Sequence, residues 1–484
     1  MSQTLLPLPP SSYPAVKSRF SYLSLRCAIR VYWAILGAAA LSAFTMPACP
    51  QSAEGTGTTV LTHVRLIDGT GRPPVENAIL VIQGNRIAAI HRSAFSPPAN
   101  AHVLDFHGDT VIPGLMNAHG HLALIEGGQN SPTAYTVPHV IEELRQYESY
   151  GVTTMLSLGL NRDLLYGIRE QQHEGKLDGA TVLTADRGMG VPNAAPGLPA
   201  APDQLYRPVS AAEARTDVDA MAARHADFVK FWLDSVNRTK PEMKPEIYQA
   251  AIEEAHKNHL RIAAHIYYLA DAKAAVKAGV DVLAHSVRDK PVDPELIALM
   301  KQRGVWYIPT FTVDESFYIY AEHPAFMQVD FFKASIPPGT LALLTSDAYI
   351  QKVKSDPQTA QHKADFQMDQ QNLKTLFDAG VHIGLGTDSG AYAVRIPGFA
   401  EHRELENMVG AGLTPMQAIV CATSNNARLL GIQATRGTLL PGKRADLIVL
   451  AANPLDDITN TRHIVAIFHD GRQVKPRVPV VPAQ

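Results

Sequence analysis

Eight short apolar runs recur along this chain, at residues 111–121, 151–158, 180–185, 227–233, 261–265, 280–285, 305–310 and 381–388. Segments with helical spacing lie between several of them. Residues 245–258 carry the apolar stripe of a surface helix, and residues 269–278 are alanine-rich. Strands that alternate with helices demand a parallel sheet, because a crossover must return the chain to the same end of the sheet. Eight such units predict an α/β chain folded as a (β/α)8 barrel. Gly279 and Gly380 sit where a helix must stop before the next strand begins.

The two ends of the chain read differently. Residues 58–110 hold short alternating strands broken by turn signals such as Asp68-Gly69 and Gly84-Asn85. Residues 445–450 and 464–469, with turns at Pro441-Gly442 and Asp470-Gly471, repeat that grammar. The expected organisation is a signal peptide and linker over 1–53, one part of a small β-sandwich over 54–110, the barrel over 111–434, and the rest of the sandwich with a tail over 435–484. Two insertions interrupt the barrel pattern. Residues 188–208 are rich in Pro, Ala and Gly, and residues 311–378 part the last two strands by far more than an ordinary loop. Both follow the C-terminal ends of strands, where barrel active sites are built. Their aromatic residues are expected either to shape a substrate pocket or to pack the insertion together.

Lys17, Arg19, Arg26 and Arg30 precede a stretch without charge whose centre, residues 33–44, is strongly apolar. Thr45, Pro47 and Ala48 follow. This is the layout of a secretory signal, and its apolar core is short for a spanning helix. Secretion or export to the periplasm is the expectation, with a lipid or membrane anchor as the alternative. Cys49 after Ala48 allows lipidation, but Met46-Pro47-Ala48-Cys49 is a poor lipobox. Three cysteines, Cys27, Cys49 and Cys421, exclude a disulfide framework. A formal charge of −3 with no basic stripe argues against a nucleic-acid partner.

Five of the eight apolar runs carry a residue that a plain core would reject. His119 and His121, two apart in extended chain, point to one face and can aim two imidazoles at one point. Lys230 is flanked by Val229, Phe231 and Trp232. Lysine is rarely buried unless paired, and Asp234 or Asp388 would be a structural partner. His265 and His285 end the fifth and sixth runs, and Asp388 ends the eighth. Singly, each histidine is more simply a hydrogen-bonded core residue. Together, at one end of a barrel, six such groups are not explained as six separate core residues.

These residues carry a resemblance. Pro113-Gly114-Leu115 before His119-Gly120-His121, then Ala284-His285, Gly386-Thr387-Asp388-Ser389 and the tail Gly437-Thr438-Leu439-Leu440-Pro441-Gly442-Lys443-Arg444-Ala445-Asp446-Leu447 are similar to the signatures of the amidohydrolase superfamily. The chain resembles its imidazolonepropionase-like and Xaa-Pro dipeptidase-like members. The resemblance implies a metal-dependent hydrolase in which a metal-bound hydroxide cuts an amide or peptide C–N bond. It implies divalent metal, zinc by analogy: two ions if Lys230 is carboxylated to a bridging carbamate, otherwise one. His119, His121 and Asp388 would hold one ion and His265 and His285 the other, with Asp388 moving the proton; in a single-metal variant His285 would assist carbonyl polarisation. Burial, which depresses a lysine pKa, favours the carbamate. Tyr267, Arg288 and His402 are the candidate substrate contacts, the latter two suited to a carboxylate or carbonyl. His256 and His259 are expected to face solvent. The favoured substrate is a small molecule, either an Xaa-Pro-type dipeptide or an N-acyl amino acid. The alternatives are a one-metal cyclic-amide hydrolase, a lactonase, and a non-catalytic periplasmic binding or scaffold protein on an inherited barrel. No integral membrane role is expected, and a homo-oligomer is compatible with everything above.

Overall fold

A computed structural model describes residues 57–477, except 94 and 237. The expected signal segment, with Cys27 and Cys49, lies outside the described residues. Among the described residues no helix is long and apolar enough to cross a membrane.

The chain begins with β1 (Thr58–Leu66), β2 (Val75–Gln83) and β3 (Arg86–His91), an antiparallel meander. Gly84, at φ 58°, supplies the left-handed turn between β2 and β3. Next, β4 (His102–Asp105) and β5 (Thr110–Pro113) both run parallel to β1. The following strand is β6 (Leu115–Gly120). The run 111–121 was expected as one strand, but it is two: Val111 and Ile112 pair with strands from the chain ends, and the second strand starts after Gly114. Any side chain at Gly114 would strike Thr153, so the break sits where two backbones approach closely.

A small hairpin, β7 (Ile125–Glu126) and β8 (Gln129–Asn130), precedes a regular alternation. It runs α1 (Val137–Ser149), β9 (Val152–Ser157), α2 (Leu164–His173), β10 (Thr181–Thr184), α3 (Ala211–Ala223), β11 (Phe228–Trp232), α4 (Pro245–Lys257), β12 (Arg261–His265), α5 (Leu269–Ala278), β13 (Val282–Ala284), α6 (Pro294–Arg303) and β14 (Trp306–Ile308). The long insertion is helical: α7 (Thr312–Glu315), α8 (Asp330–Ser335), α9 (Pro338–Leu344), α10 (Asp347–Ser355) and α11 (Gln358–Asp378). Then come β15 (His382–Ile383), α12 (Phe399–Gly410), α13 (Pro415–Val420) and α14 (Asn426–Leu429). The tail gives β16 (Leu447–Leu450), β17 (Ile464–His469) and β18 (Arg472–Val474). Gly279, at φ 107°, ends α5 as its spacing requires.

The eight strands of the alternation are all parallel. They form a sheet of three, β6-β9-β10, and a sheet of five, β11 to β15 in chain order. Hydrogen bonds join both seams. Met189 bridges to Phe231 after β10, and Gly120 bridges to Ser389 beyond β15. Strands from the two ends of the chain combine into one further sheet of eight, in which β16 lies beside β5. Its apolar face buries Leu61, Val64, Leu80, Leu447 and Val449. Along the parallel strands, Phe228, Ala263, Val282, Ala284 and Ile308 gather into one cluster while Val229, Ile262 and Leu283 join another. That is the two-residue period of a strand buried on both faces.

Candidate metal centre and active-site cavity

The polar residues reach one point by two routes. Lys230 and His265 simply follow the alternation, on the face of Phe228 and Ala263. His119 does not, because Met116 and Ala118 already occupy that face of β6. Pairing with β9 slips between Asn117 and Gly120, where three steps on β6 match two on β9. This bulge turns His119 toward the other ligands, and bulges beside functional sites commonly re-aim a side chain so. His285 would likewise face away from Ala284, but it sits at φ 73°. Asp388, at φ 55°, is also left-handed. Such backbone is costly for a residue with a side chain and persists only where its surroundings hold it.

Asp388 Oδ1 lies 3.2 Å from His119 Nε2 and 3.0 Å from His121 Nε2. The His119 ring is 4.5 Å from that of His285, which is 4.3 Å from that of His265. One ligand atom each from His119, His285 and Asp388 lies within 4.8 Å of the others. His265 Nε2 is 3.5 Å from Asp234 Oδ2. Lys230 is fully buried, and its Nζ has no hydrogen-bond partner. Burial pulls the Lys230 ammonium down to about 7, against the pull of Asp388. Burial and the nearby Lys230 charge hold His119 down at about 3. Burial and its histidine neighbours hold His285 well below the usual imidazole range. Burial pushes the Asp388 carboxyl up, but the Arg395 charge and the adjoining His119 and His121 rings outweigh it and hold the group well below the usual carboxylate range.

These residues fit a cation. His121 Nδ1 lies 3.2 Å from the Gly159 carbonyl, so it carries the proton and Nε2 presents a lone pair to Asp388. The Thr310 hydroxyl donates to Pro309 O and accepts from His285 Nδ1 at 2.7 Å, so His285 Nε2 also presents a lone pair. Lone pairs and a carboxylate oxygen converging on one point repel unless a positive ion or proton stands between them. Second-nitrogen bonds to carbonyl and hydroxyl oxygens are how proteins orient ligating histidines.

The group opens on a cavity of about 920 Å³, lined by His121, His265, His285 and Asp388 and by the α7–α11 insertion. Tyr267 and Arg288 line it too. Tyr267 donates to Asp365 at 2.9 Å, and Arg288 to Asp314 at 2.8 Å. His402 is not brought there. It is fully buried in α12, 2.9 Å from the Tyr150 carbonyl and 3.0 Å from Thr461 Oγ1, so both ring nitrogens are engaged away from the cavity. Its place is that of a packing residue and not of a substrate contact. His256 and His259 are exposed. Of the insertion aromatics, Phe317 lines the cavity, while Phe326 and Phe332 pack on each other and on Phe399.

Arg395, Asp314 and His362 are among the cavity residues that escaped the sequence reading. Arg395 pairs with Asp388 Oδ2, and Asp314 pairs with His362 at 2.8 Å. Arg395 had one signal: it is the only charged residue between Asp388 and Glu401. Behind the site, Glu401 accepts from Asn117, Thr387 and Ser389 at 2.7–2.8 Å, tying β6 to the segment that follows β15.

A profile of the amidohydrolase family matches residues 110–475. Ochratoxinase of Aspergillus niger is 26% identical over 95% of this chain and 94% of its own. Among solved structures, a candidate prolidase of Bifidobacterium longum has a TM-score of 0.69 at 26% identity, over 88% of this chain and 97% of its own. A Xaa-Pro dipeptidase with bound methionine has a TM-score of 0.68 at 24% identity, over 86% of this chain and all of its own. With the matched region spanning both seams and every candidate ligand, the chain belongs to the amidohydrolase family and is a hydrolase acting on carbon–nitrogen bonds.

Proposed function

We propose that the eight parallel strands close as a (β/α)8 barrel, capped by a β-sandwich domain from the chain ends, and that the convergent ligands hold divalent metal for hydrolysis of a small amide. The observation that carries this is the convergence of ring nitrogens of His119, His121 and His285 on Asp388 beside a buried, unpartnered Lys230. His119, His121, His265, His285 and Asp388 would hold the metal, zinc by analogy. When bound, it supplies a nucleophilic water at neutral pH and polarises the scissile carbonyl. Lys230, neutral in part near pH 7, is suited to add carbon dioxide with loss of one N–H proton, and the carbamate would offer an anionic oxygen to the metal. Asp388 accepts the proton lost by the water and passes it to the leaving nitrogen. Arg288 and Tyr267 line the cavity where a substrate carboxylate would sit. An Xaa-Pro-type dipeptide or an N-acyl amino acid fits that pairing of amide and carboxylate. The family match and the prolidase named among the similar structures support an amide substrate.

A one-metal reading draws support from a specific feature. Of the candidate ligands, His119, His285 and Asp388 lie close enough together to share an ion as they stand, while His265 leans toward Asp234. Elemental analysis of the purified protein decides between them. Two metals with a carbamate mass on Lys230 support the first reading; one metal and activity surviving Lys230→Ala support the second. A panel of glycyl-proline, N-acetyl amino acids, cyclic amides and lactones identifies the bond cut. Full hydrolytic activity in metal-free protein overturns both. The basic and then apolar N-terminus supports export, and a shortened N-terminus on extracytoplasmic protein tests that.

A further inference from the structure

Asp388 divides its two oxygens. Oδ1 faces His119 and His121, and Oδ2 is held by the Arg395 guanidinium. Arg395 is 4% exposed, and each of its nitrogens is engaged. Its Nη2 donates to Val313 O at 3.1 Å, its Nε points to Ser316 Oγ at 3.4 Å, and its fork lies over the Tyr392 and Phe317 rings at 4.6 and 5.1 Å. The loop that carries it is folded back on itself. Gly390 N donates to Arg395 O at 2.9 Å, and Asn130 pins Ala391 O at 2.7 Å. This loop returns a cation over the residue that opens it. Asp388 itself is left-handed, so regular strand geometry does not set its direction.

We propose that Arg395 is a positioning residue: it fixes the carboxylate of Asp388 for metal binding and proton transfer, and ties it to the start of the strand-seven insertion at Val313, Ser316 and Phe317. The cavity wall and the reacting carboxylate are thereby one mechanical unit. The proposal rests on the role given to Asp388 above.

Charge and position predict opposite effects, which makes the idea testable. A guanidinium repels a metal cation, so simple removal of its charge tightens zinc binding. Loss of positioning loosens it, and outer partners of metal ligands typically hold 10–100-fold in affinity. Zinc affinity is measured by competition with a chromophoric chelator on the full chain for wild type, Arg395→Met, Arg395→Lys and Asp388→Asn. Thermal unfolding is followed on metal-stripped protein, and kcat and KM on the fastest amide of the panel. Arg395→Met is expected to bind zinc about tenfold more weakly and to lose about 100-fold in kcat with KM nearly unchanged. Arg395→Lys is expected to recover part of both. If Arg395→Met fails to fold, Arg395→Lys carries the comparison, because it keeps stem and charge but cannot bond Asp388, Val313 and Ser316 together. Zinc bound as tightly or more tightly with kcat intact overturns the proposal. So does a rise in KM alone, which makes Arg395 a substrate contact. A wild type that binds no zinc, or Asp388→Asn with full activity, overturns the functional reading itself. An inactive Asp388→Asn beside unaffected Arg395 variants overturns only this inference.

Discussion

At the scale of single residues, burial decides what each group is fit to do. His121 makes the clearest test. Its Nδ1 is oriented by Gly159 and its Nε2 faces Asp388, so His121→Ala removes a proposed ligand while the main-chain bond from His121 N to Ser389 O stays. Zinc content and hydrolysis are expected to fall together while the circular dichroism spectrum stays that of wild type. His402 shows the opposite fate of a histidine in this fold. Burial holds it at about 4, from a usual 6.5. Between those values the unfolded chain binds a proton that the folded chain refuses, so stability falls as pH drops through that window. The loss approaches about 3 kcal/mol by pH 4. Urea unfolding from pH 7 to pH 4 is expected to show a steeper loss for wild type than for His402→Gln; equal slopes would contradict the assignment.

Among elements, the site depends on how closely β6 approaches the segment that follows β15. A Cβ on Gly386 would sit 2.6 Å from both His119 Cβ and Ile308 Cγ2. Gly386→Ala therefore pushes on a ligand and on a core side chain at once. Such overpacking costs about 2 kcal/mol, and the displaced His119 is expected to weaken zinc binding as well. Chemical denaturation reads the first effect and chelator competition the second. The Glu401 network supports the same approach from outside, since one carboxylate takes donors from Asn117 on β6 and from Thr387 and Ser389 around Asp388. In the insertion the two expectations for the aromatics divide by residue. Phe317 faces the cavity, and Phe326, Phe331 and Phe332 serve packing.

For the molecule as a whole, the sheet from the chain ends is joined to the parallel strands by a buried polar knot. His469 on β17 meets Glu148 on α1 at 2.6 Å and Thr181 on β10 at 3.1 Å. Arg436 pairs nearby with Asp446 and Asp470, which accounts for the acidic cluster there without a metal. Glu148→Ala strands a buried partner and is expected to cost about 3 kcal/mol, with Glu148→Gln costing less. Zinc content should stay at the wild-type level in both, since the knot is remote from the ligands; a loss of zinc would show that the two parts are coupled.

Much of this was legible in the chain. Apolar runs, helix stripes and stop glycines gave the strands, because those signals are local. The identity of Lys230 and His265 as inward residues followed from alternation alone, whereas Asp388 turns inward on a left-handed backbone. Other features depended on contacts far apart in sequence. The split of the first run at Gly114 came from pairing with β16, more than three hundred residues away. The inward turn of His119 needed a bulge against β9, and that of His285 a left-handed backbone. His402 was withdrawn from the cavity by Tyr150 and Thr461. Arg395 joined the site because a seven-residue loop folds back on Asp388. Sequence by itself determined which side chains lie at strand ends and what chemistry they own, since periodicity and residue type are properties of short stretches. Only the tertiary structure decided which of them meet, because a bulge, a positive φ or a returning loop is set by what packs against it.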